Sequence, residues 1–113
     1  MIFLFRQLLL VLFALLGWSI LSAQTEFIFN YEGLDRTYFL DAPASETEGL
    51  PLVIVLHGYV SSAQIIRGYS GWSDIAENGE AVICYPQGTA DDFGINHWNA
   101  NLGISETDDI GFL

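Results

Sequence analysis

Two short runs near the start of the chain are rich in aromatic and β-branched residues. They cover residues 26–31 and 36–40, and a polar segment that contains a glycine separates them at residues 32–35. Runs of this kind on either side of a short turn predict a β-hairpin. Residues 41–49 contain three acids, a proline and a glycine, and therefore indicate an exposed loop.

Five uninterrupted apolar residues follow, Leu52–Leu56. A short run without polar positions predicts a strand that is buried on both faces, as in a parallel sheet. The run ends at His57 and Gly58, where the glycine allows a sharp turn and a close approach to another group. Open α/β folds bind their ligands at the carboxyl edge of such strands.

Helical spacing begins after this turn. Ser62 is suited to cap a helix that starts near Ala63, with Ile65 and Ile66 on its buried side. A second helical segment begins near Trp72, whose spacing with Ile75 and Ala76 indicates a core position, and ends at Asn78–Gly79.

A second apolar run, Ala81–Tyr85, predicts another buried strand. Together with the helices before it and Leu52–Leu56, it predicts a parallel βαβ unit. Residues 87–105 have no clear periodicity and indicate a long loop, of the kind that is usually functional. Asp108 and Asp109 then suit the first turn of a helix, where acidic side chains favour the helix dipole. The chain is therefore predicted to be α/β, with a hairpin followed by the parallel unit.

The N-terminal segment has the layout of a secretory signal peptide. Arg6 follows a short start, Leu8–Leu16 is apolar, and the chain becomes smaller and more polar up to Ala23. We expect cleavage before Gln24, which makes residues 1–23 the signal peptide and residues 24–113 the folded portion. An uncleaved transmembrane anchor is the alternative, since the apolar stretch nearly reaches the roughly 20 residues that span a bilayer.

Charge restricts the classes of partner. The chain carries 14 acidic residues and a formal net charge of −11, and no lysine is present. Such a surface repels nucleic acid and anionic membranes, so we exclude both as main partners. Cys84 is the single cysteine, which rules out an intrachain disulfide, and its apolar surroundings indicate a buried small hydrophobic residue. No zinc-binding spacing of cysteine and histidine is present.

Several motifs occur in an order that carries a family resemblance. They are Gly33–Tyr38, Leu52–Tyr59, Tyr69–Trp72, Tyr85–Thr89, Trp98–Asn99 and Asp108–Phe112. As an ordered set, they resemble the secreted polyhydroxybutyrate depolymerase and feruloyl esterase family of α/β-hydrolases, which are esterases of carbohydrate esterase type.

The resemblance implies a secreted serine esterase that cleaves carboxylic esters through an acyl-enzyme and needs no metal or cofactor. Its substrates would be polyhydroxyalkanoates, or feruloyl and acetyl esters of plant polysaccharide. In that family, a Gly-x-Ser-x-Gly elbow follows the Asp-Asp-x-Gly-Phe helix, and the triad runs Ser, Asp, His. This chain contains no Gly-x-Ser-x-Gly. We therefore expect it to be the N-terminal part of a longer, extracellular or periplasmic protein.

The resemblance also implies roles for single residues. The backbone N–H of Tyr59 corresponds to an oxyanion-hole donor in the loop that follows the strand. His57 and Gly58 belong to the same turn and to the predicted substrate-binding surface, and we expect the His57 ring to bond backbone around the loop.

Trp98 and Asn99, next to His97, could line a cleft for a sugar or feruloyl ring, or Trp98 could cap the core beneath a loop. Asp108 and Asp109 are adjacent and do not face one site on a helix, so we interpret them as capping residues.

Two other functions remain open from the sequence. The aromatic-rich segment Gly94–Leu102 is compatible with a non-enzymatic secreted module that binds polysaccharide or another polymer. A membrane-anchored protein follows if the N-terminal segment is not cleaved. The sequence does not indicate an oligomeric state.

Overall fold

The computed structural model describes residues 25–113. The predicted signal peptide, residues 1–23, lies outside them. The β-strands are Glu26–Tyr31 (β1), Leu34–Asp41 (β2), Leu52–Ile54 (β3), Val82–Pro86 (β4), Thr89–Ala90 (β5) and Asn96–His97 (β6). The helices are Ala63–Tyr69 (α1), Trp72–Glu77 (α2) and Asp109–Phe112 (α3). Within residues 25–113, no helix is both long enough and apolar enough to span a bilayer.

The main sheet is mixed and has the strand order β1-β2-β4-β3. The strands β1 and β2 form an antiparallel hairpin in which Phe29 pairs with Arg36. The strands β3 and β4 run parallel, with Val53 opposite Ile83, and α1 and α2 connect them. The predicted hairpin and the predicted parallel unit are both confirmed, and the chain belongs to the mixed α/β class.

A small core lies between the sheet and the first two helices. Ile83 and Tyr85 of β4 and Phe39 of β2 are buried there against helical alanines, Ala63 and Ala76. Such small side chains let the helices lie close to the sheet. The predicted cap is confirmed: Ser62 precedes α1, and its hydroxyl oxygen accepts a hydrogen bond from the Ile65 N–H.

The prediction that Leu52–Leu56 is buried on both faces is wrong. Val53 and Val55 pack against the core, whereas Leu52 and Ile54 are 60% and 43% exposed. The reason is the two-residue period of a strand, because α1 and α2 cover only one face of the sheet. On the other face lies an open apolar cavity whose lining includes Ile54 and Cys84.

Three smaller predictions also need correction. Trp72 is 40% exposed, because it is the first residue of α2 and Ala76 and Ile75 supply the packed side of that helix. Ile65 is exposed, and only Ile66 packs against the core. Cys84 is partly exposed and lines the open cavity; burial raises the pKa of its thiol, which disfavours the reactive thiolate.

A polar cluster joins the end of β2 to the helices α1 and α2. Asp41 accepts hydrogen bonds from Nε and Nη2 of Arg67, at distances of 2.6 to 3.0 Å, and from the Ser73 hydroxyl at 2.6 Å. Burial alone raises the pKa of Asp41, but the bonds from Arg67 and Ser73 outweigh it and hold that pKa below its ordinary value. The cluster therefore favours the ionised carboxylate.

This cluster should make stability depend on pH. A carboxyl group whose pKa is lower in the folded state than in the unfolded state stabilises the folded protein at pH values above the unfolded pKa. This contribution disappears as the pH falls through the folded pKa. The free energy of unfolding of the wild type should fall as the pH drops from roughly 5 to 2. We expect this fall to be smaller in Asp41→Asn, which has no carboxyl group to protonate at this position. Urea denaturation at each pH measures this slope. Asp92→Asn, at an exposed position, is the control and should keep the pH dependence of the wild type. If the unfolding free energy of Asp41→Asn depends on pH as steeply as that of the wild type and the control, the prediction is contradicted.

Candidate functional site

The turn after β3 lies at the edge of the sheet where the parallel strands β3 and β4 both end. Gly58, Tyr59 and Val60 are exposed there, and Tyr59 has 56% of its surface accessible. Val60 has a φ of 68°, a left-handed conformation that is unfavourable for a β-branched residue. The turn is thus exposed at the surface, and Val60 has a backbone conformation that its side chain disfavours.

His57 lies beneath this turn with its ring almost completely buried. Its Nε2 accepts a hydrogen bond from the Gly88 N–H at 3.0 Å, so we assign the ring proton to Nδ1, which donates to the Gly58 carbonyl at 2.8 Å. Both ring nitrogens are therefore engaged with backbone, in agreement with the expected bonding around the loop.

Gln87 belongs to the motif Tyr85–Thr89, but the sequence assigned it no role; in the fold it connects three parts of the site. Its side-chain oxygen accepts from the N–H of Ala63, the first residue of α1, at 2.9 Å. Its amide nitrogen lies 3.1 Å from Nε2 of His57 and donates to the Gly88 carbonyl. A polar residue directly after the buried strand β4 was the available signal, because that position meets the β3 turn at the same sheet edge.

The close backbone approach that the sequence suggested at Gly58 occurs at Gly88 instead. Nothing lies within 4 Å of a Cβ built on Gly58, and its φ is not positive. A Cβ on Gly88 would overlap the His97 carbonyl oxygen and would reach 3.1 Å from Nε2 of His57. Gly88 therefore permits the contact between the β4 end and the β5–β6 hairpin.

We expect Gly88→Ala to destabilise the fold by about 1–3 kcal/mol, because the overlapping atom is backbone and cannot rotate away. Chemical denaturation followed by circular dichroism measures this change. Gly68→Ala is the matched control, since nothing lies within 4 Å of its added methyl group and alanine favours the helix it occupies. Equal stability of Gly88→Ala and wild type would contradict the close approach.

Trp98 lies against His57 beneath the turn, whereas Asn99 is bonded to the loop around it and to the segment before α3. The indole N–H of Trp98 donates to the His57 carbonyl at 3.0 Å, and the two rings are 5.2 Å apart. The side-chain nitrogen of Asn99 donates to the Thr107 carbonyl, and its oxygen accepts from the Asn101 N–H. Trp98 is half-buried, which favours the role of capping the core beneath the loop, and the polar atoms of Asn99 serve the fold.

Residues 87–105, which were predicted to form a long loop, contain the short hairpin β5–β6. This hairpin is hydrogen-bonded to the turn that contains Tyr59. The Val60 N–H donates to the Asn96 carbonyl at 3.0 Å, and the Asn96 side chain donates to the Ser61 carbonyl at 3.2 Å. Two-residue strands are too short for periodicity to detect.

Asp91, at the start of the β5–β6 connection, contacts the turn through Tyr59. One carboxylate oxygen accepts from the Tyr59 hydroxyl at 3.1 Å, and the other accepts from the N–H groups of Phe93 and Ile95, each at 2.9 Å. Burial raises the pKa of Asp91, but these donors together hold that pKa below its ordinary value. Burial, followed by the bond to the carboxylate, raises the pKa of Tyr59.

The backbone N–H of Tyr59 is the chemically useful group of the turn. Among residues 25–113 it donates no hydrogen bond, although Val60 and Ser61, the next residues, both donate their N–H groups. An unpaired donor on an exposed turn is open to an oxygen of a bound molecule.

A buried ion pair supports the site from the other face of the sheet. Nη2 of Arg36 and an oxygen of Asp109 are 2.7 Å apart, and both side chains are almost inaccessible to water. The second oxygen of Asp109 accepts from the Asn99 N–H at 2.6 Å, and the Phe112 ring covers the Arg36 guanidinium at 3.9 Å. Asp108 caps α3, as expected, by accepting from the Gly111 N–H, whereas Asp109 is the ion-pair partner and not a cap.

No three His, Cys, Asp or Glu side chains among the described residues are placed to hold a metal ion. No protein-family model and no curated protein matches this chain. The resemblance to the esterase family therefore rests on the sequence motifs alone, and the activity that it implies stays a prediction.

Proposed function

We propose that the complete protein is a secreted serine esterase that hydrolyses carboxylic esters through an acyl-enzyme. Residues 25–113 supply one half of its oxyanion hole. The substrates are polyhydroxyalkanoates, or feruloyl and acetyl esters of plant polysaccharide. The proposal joins the family resemblance to the α/β class of the chain and to the placement of its exposed turn.

The observation that carries the proposal is the unpaired N–H of Tyr59. It lies on the exposed turn that follows the parallel strand β3, and it donates no hydrogen bond to any of the described residues. An amide bonded inside the protein could not bind a developing oxyanion. The ring of His57 holds the Gly58 carbonyl, the Asn96 carbonyl holds the Val60 N–H, and Trp98 bonds to His57 itself, so the donor is positioned before a substrate arrives.

The proposed reaction gives this chain a limited part. A serine attacks the ester carbonyl, and the carbonyl oxygen becomes an oxyanion as the tetrahedral intermediate forms. The Tyr59 N–H then donates to that oxyanion and lowers the energy of the intermediate. His57 is not the general base in this proposal, because both of its ring nitrogens are engaged with backbone.

The nucleophile is proposed to follow Leu113 in the complete protein. Two serines of this chain already have structural partners, since Ser62 caps α1 and Ser73 donates to Asp41. Neither Ser61 nor Ser70 lies between glycines on a strand-to-helix turn. The remaining triad members are proposed to lie in the same downstream part.

Labelling with a fluorophosphonate probe tests this proposal. We expect the protein encoded by the intact gene to be labelled on one serine after residue 113, within a Gly-x-Ser-x-Gly, and to hydrolyse a p-nitrophenyl ester. The chain of 113 residues should not be labelled. An intact gene product that lacks the motif, or labelling of a serine within this chain, would refute the proposal.

A polymer-binding module without catalysis is the second candidate. Phe93 and Leu102 are 74% and 73% exposed in the loops beside the turn, and exposed apolar side chains can contact a polymer surface. In this case the intact gene product would bind xylan or polyester granules without any fluorophosphonate labelling. Pull-down with each polymer, with Phe93→Ser as the variant, distinguishes this function from the esterase.

A further inference from the structure

We propose that the side chain of Tyr59 determines substrate specificity. Its ring forms a flat wall of the site and packs against a planar group, such as an aromatic ring, on one side of the ester bond. This inference rests on the proposed esterase function, because it places the ester carbonyl at the Tyr59 N–H. The sequence motifs assign a role only to the backbone of this residue.

The ring and the oxyanion donor belong to one residue, and this limits the distance between them. An oxygen that accepts from a backbone N–H, at the usual distance of about 2.9 Å, lies no more than about 5 Å from Cβ of the same residue. The Tyr59 ring is attached to that Cβ. A group of several atoms on either side of the ester carbonyl is therefore long enough to contact the ring.

The ring is accessible to such a group. More than half of the Tyr59 surface is exposed, although its hydroxyl is bonded to Asp91. Trp98, the aromatic residue that the sequence offered for a cleft, lies against His57 beneath the turn instead. Aromatic groups that meet in an offset-stacked or edge-to-face arrangement gain free energy beyond the burial of apolar area.

Asp91 holds the exposed ring in one place. One of its carboxylate oxygens accepts from the Tyr59 hydroxyl at 3.1 Å, and the other is fixed by the N–H groups of Phe93 and Ile95. Asp91 itself is buried, and hydrogen bonds to an ionised acceptor are stronger than bonds between neutral groups. A side chain that is restrained before binding loses less conformational entropy when a substrate packs against it.

The bond to Asp91 fixes the ring and not the N–H. The Tyr59 N–H lies in the same peptide plane as the Gly58 carbonyl, which accepts from the His57 ring at 2.8 Å and from the Ser61 N–H at 3.2 Å. These two bonds set the direction of the N–H independently of the phenol. A change of the Tyr59 side chain should therefore alter which ester is preferred.

Tyr59→Leu in the intact gene product is the decisive variant, because it keeps the backbone N–H and an apolar side chain but removes the planar ring. Selectivity is the ratio of kcat/KM for an aromatic ester to kcat/KM for an aliphatic ester, measured by acid release at constant pH. We expect this ratio to fall about 3- to 10-fold. A disturbed N–H would slow the hydrolysis of both esters alike and leave the ratio unchanged.

Two pairs of substrates distinguish the two sides of the ester. Methyl phenylacetate against methyl butanoate varies the acyl group, and benzyl acetate against propyl acetate varies the alcohol. A fall in either ratio supports the inference and identifies the side that contacts the ring. Tyr59→Phe keeps the ring and loses only the bond to Asp91, so its ratio should lie between those of the wild type and Tyr59→Leu.

Tyr69→Leu is the matched control, at an exposed tyrosine that is the last residue of α1, and it should keep both wild-type ratios. Circular dichroism checks that each variant is folded. If the gene product hydrolyses these esters and Tyr59→Leu has wild-type ratios, the inference is overturned and the esterase proposal stands. If the wild-type gene product hydrolyses no ester, both are overturned.

Discussion

Asp109→Ala is expected to lower the free energy of unfolding by about 3–5 kcal/mol. The substitution leaves the Arg36 guanidinium buried and without its carboxylate, because Arg36 and Asp109 are both almost inaccessible to water. It also removes the acceptor for the Asn99 N–H. The weak hydrogen bond of 3.4 Å from Nη2 of Arg36 to the Gln87 carbonyl cannot replace a charged partner.

Urea denaturation followed by circular dichroism measures this loss. Asp92→Ala is the control, because Asp92 is exposed and surface substitutions usually change stability by no more than about 0.5 kcal/mol. A loss below about 1 kcal/mol in Asp109→Ala would mean that the guanidinium finds water or another partner.

The double variant Arg36→Met with Asp109→Leu separates charge from packing. Replacing both members of a buried pair with apolar residues is often neutral or stabilising. We therefore expect the double variant to recover most of the stability that Asp109→Ala loses. A double variant as unstable as Asp109→Ala would show that the bond from Asp109 to the Asn99 N–H matters more than the ion pair.

Removing the N–H of Tyr59 is expected to lower kcat of the intact gene product by about 100- to 1000-fold. The change is a backbone substitution in which an ester oxygen replaces the N–H of this residue, while the phenol and its bond to Asp91 remain. The donor acts on charge that develops only in the transition state, so KM should change little.

Steady-state kinetics on a p-nitrophenyl ester measures the effect. The control is the same ester substitution at Thr47, in the exposed loop between β2 and β3, where we expect wild-type kcat. Fluorophosphonate labelling reports whether the serine is still present and accessible. A kcat within about threefold of wild type, with the control intact, would exclude this N–H as an oxyanion donor.

The sequence predicted those elements that are determined by residues close to one another in the chain. The hairpin, the strand near Val82 and the cap at Ser62 all follow from residue patterns that nearby residues satisfy. The length of β3 and its exposed face were not predicted. The run Leu52–Leu56 shows that each residue is apolar, but it does not show which side chains are covered by other elements. Burial depends on the helices, which lie on one face of the sheet.

The candidate site was predicted only in part, for a related reason. Tyr59 and His57 were found because they follow the apolar run Leu52–Leu56 in the sequence. Asp91, Gln87 and Asp109 act through partners that lie 24 to 73 positions away from them in the chain, which no local window contains. Each is a polar residue in a segment of weak periodicity, and only the folded sheet brings it to its partner.

Both arginines of the described residues are paired with a carboxylate, Arg36 with Asp109 and Arg67 with Asp41. The chain contains no lysine, so among residues 25–113 no side chain of Lys or Arg offers an uncompensated positive charge to the solvent. Hydrolysis of an ester near the exposed turn would release an organic acid as its anion. The surrounding negative potential repels that anion, so product departure should be fastest at low ionic strength, where the potential extends furthest.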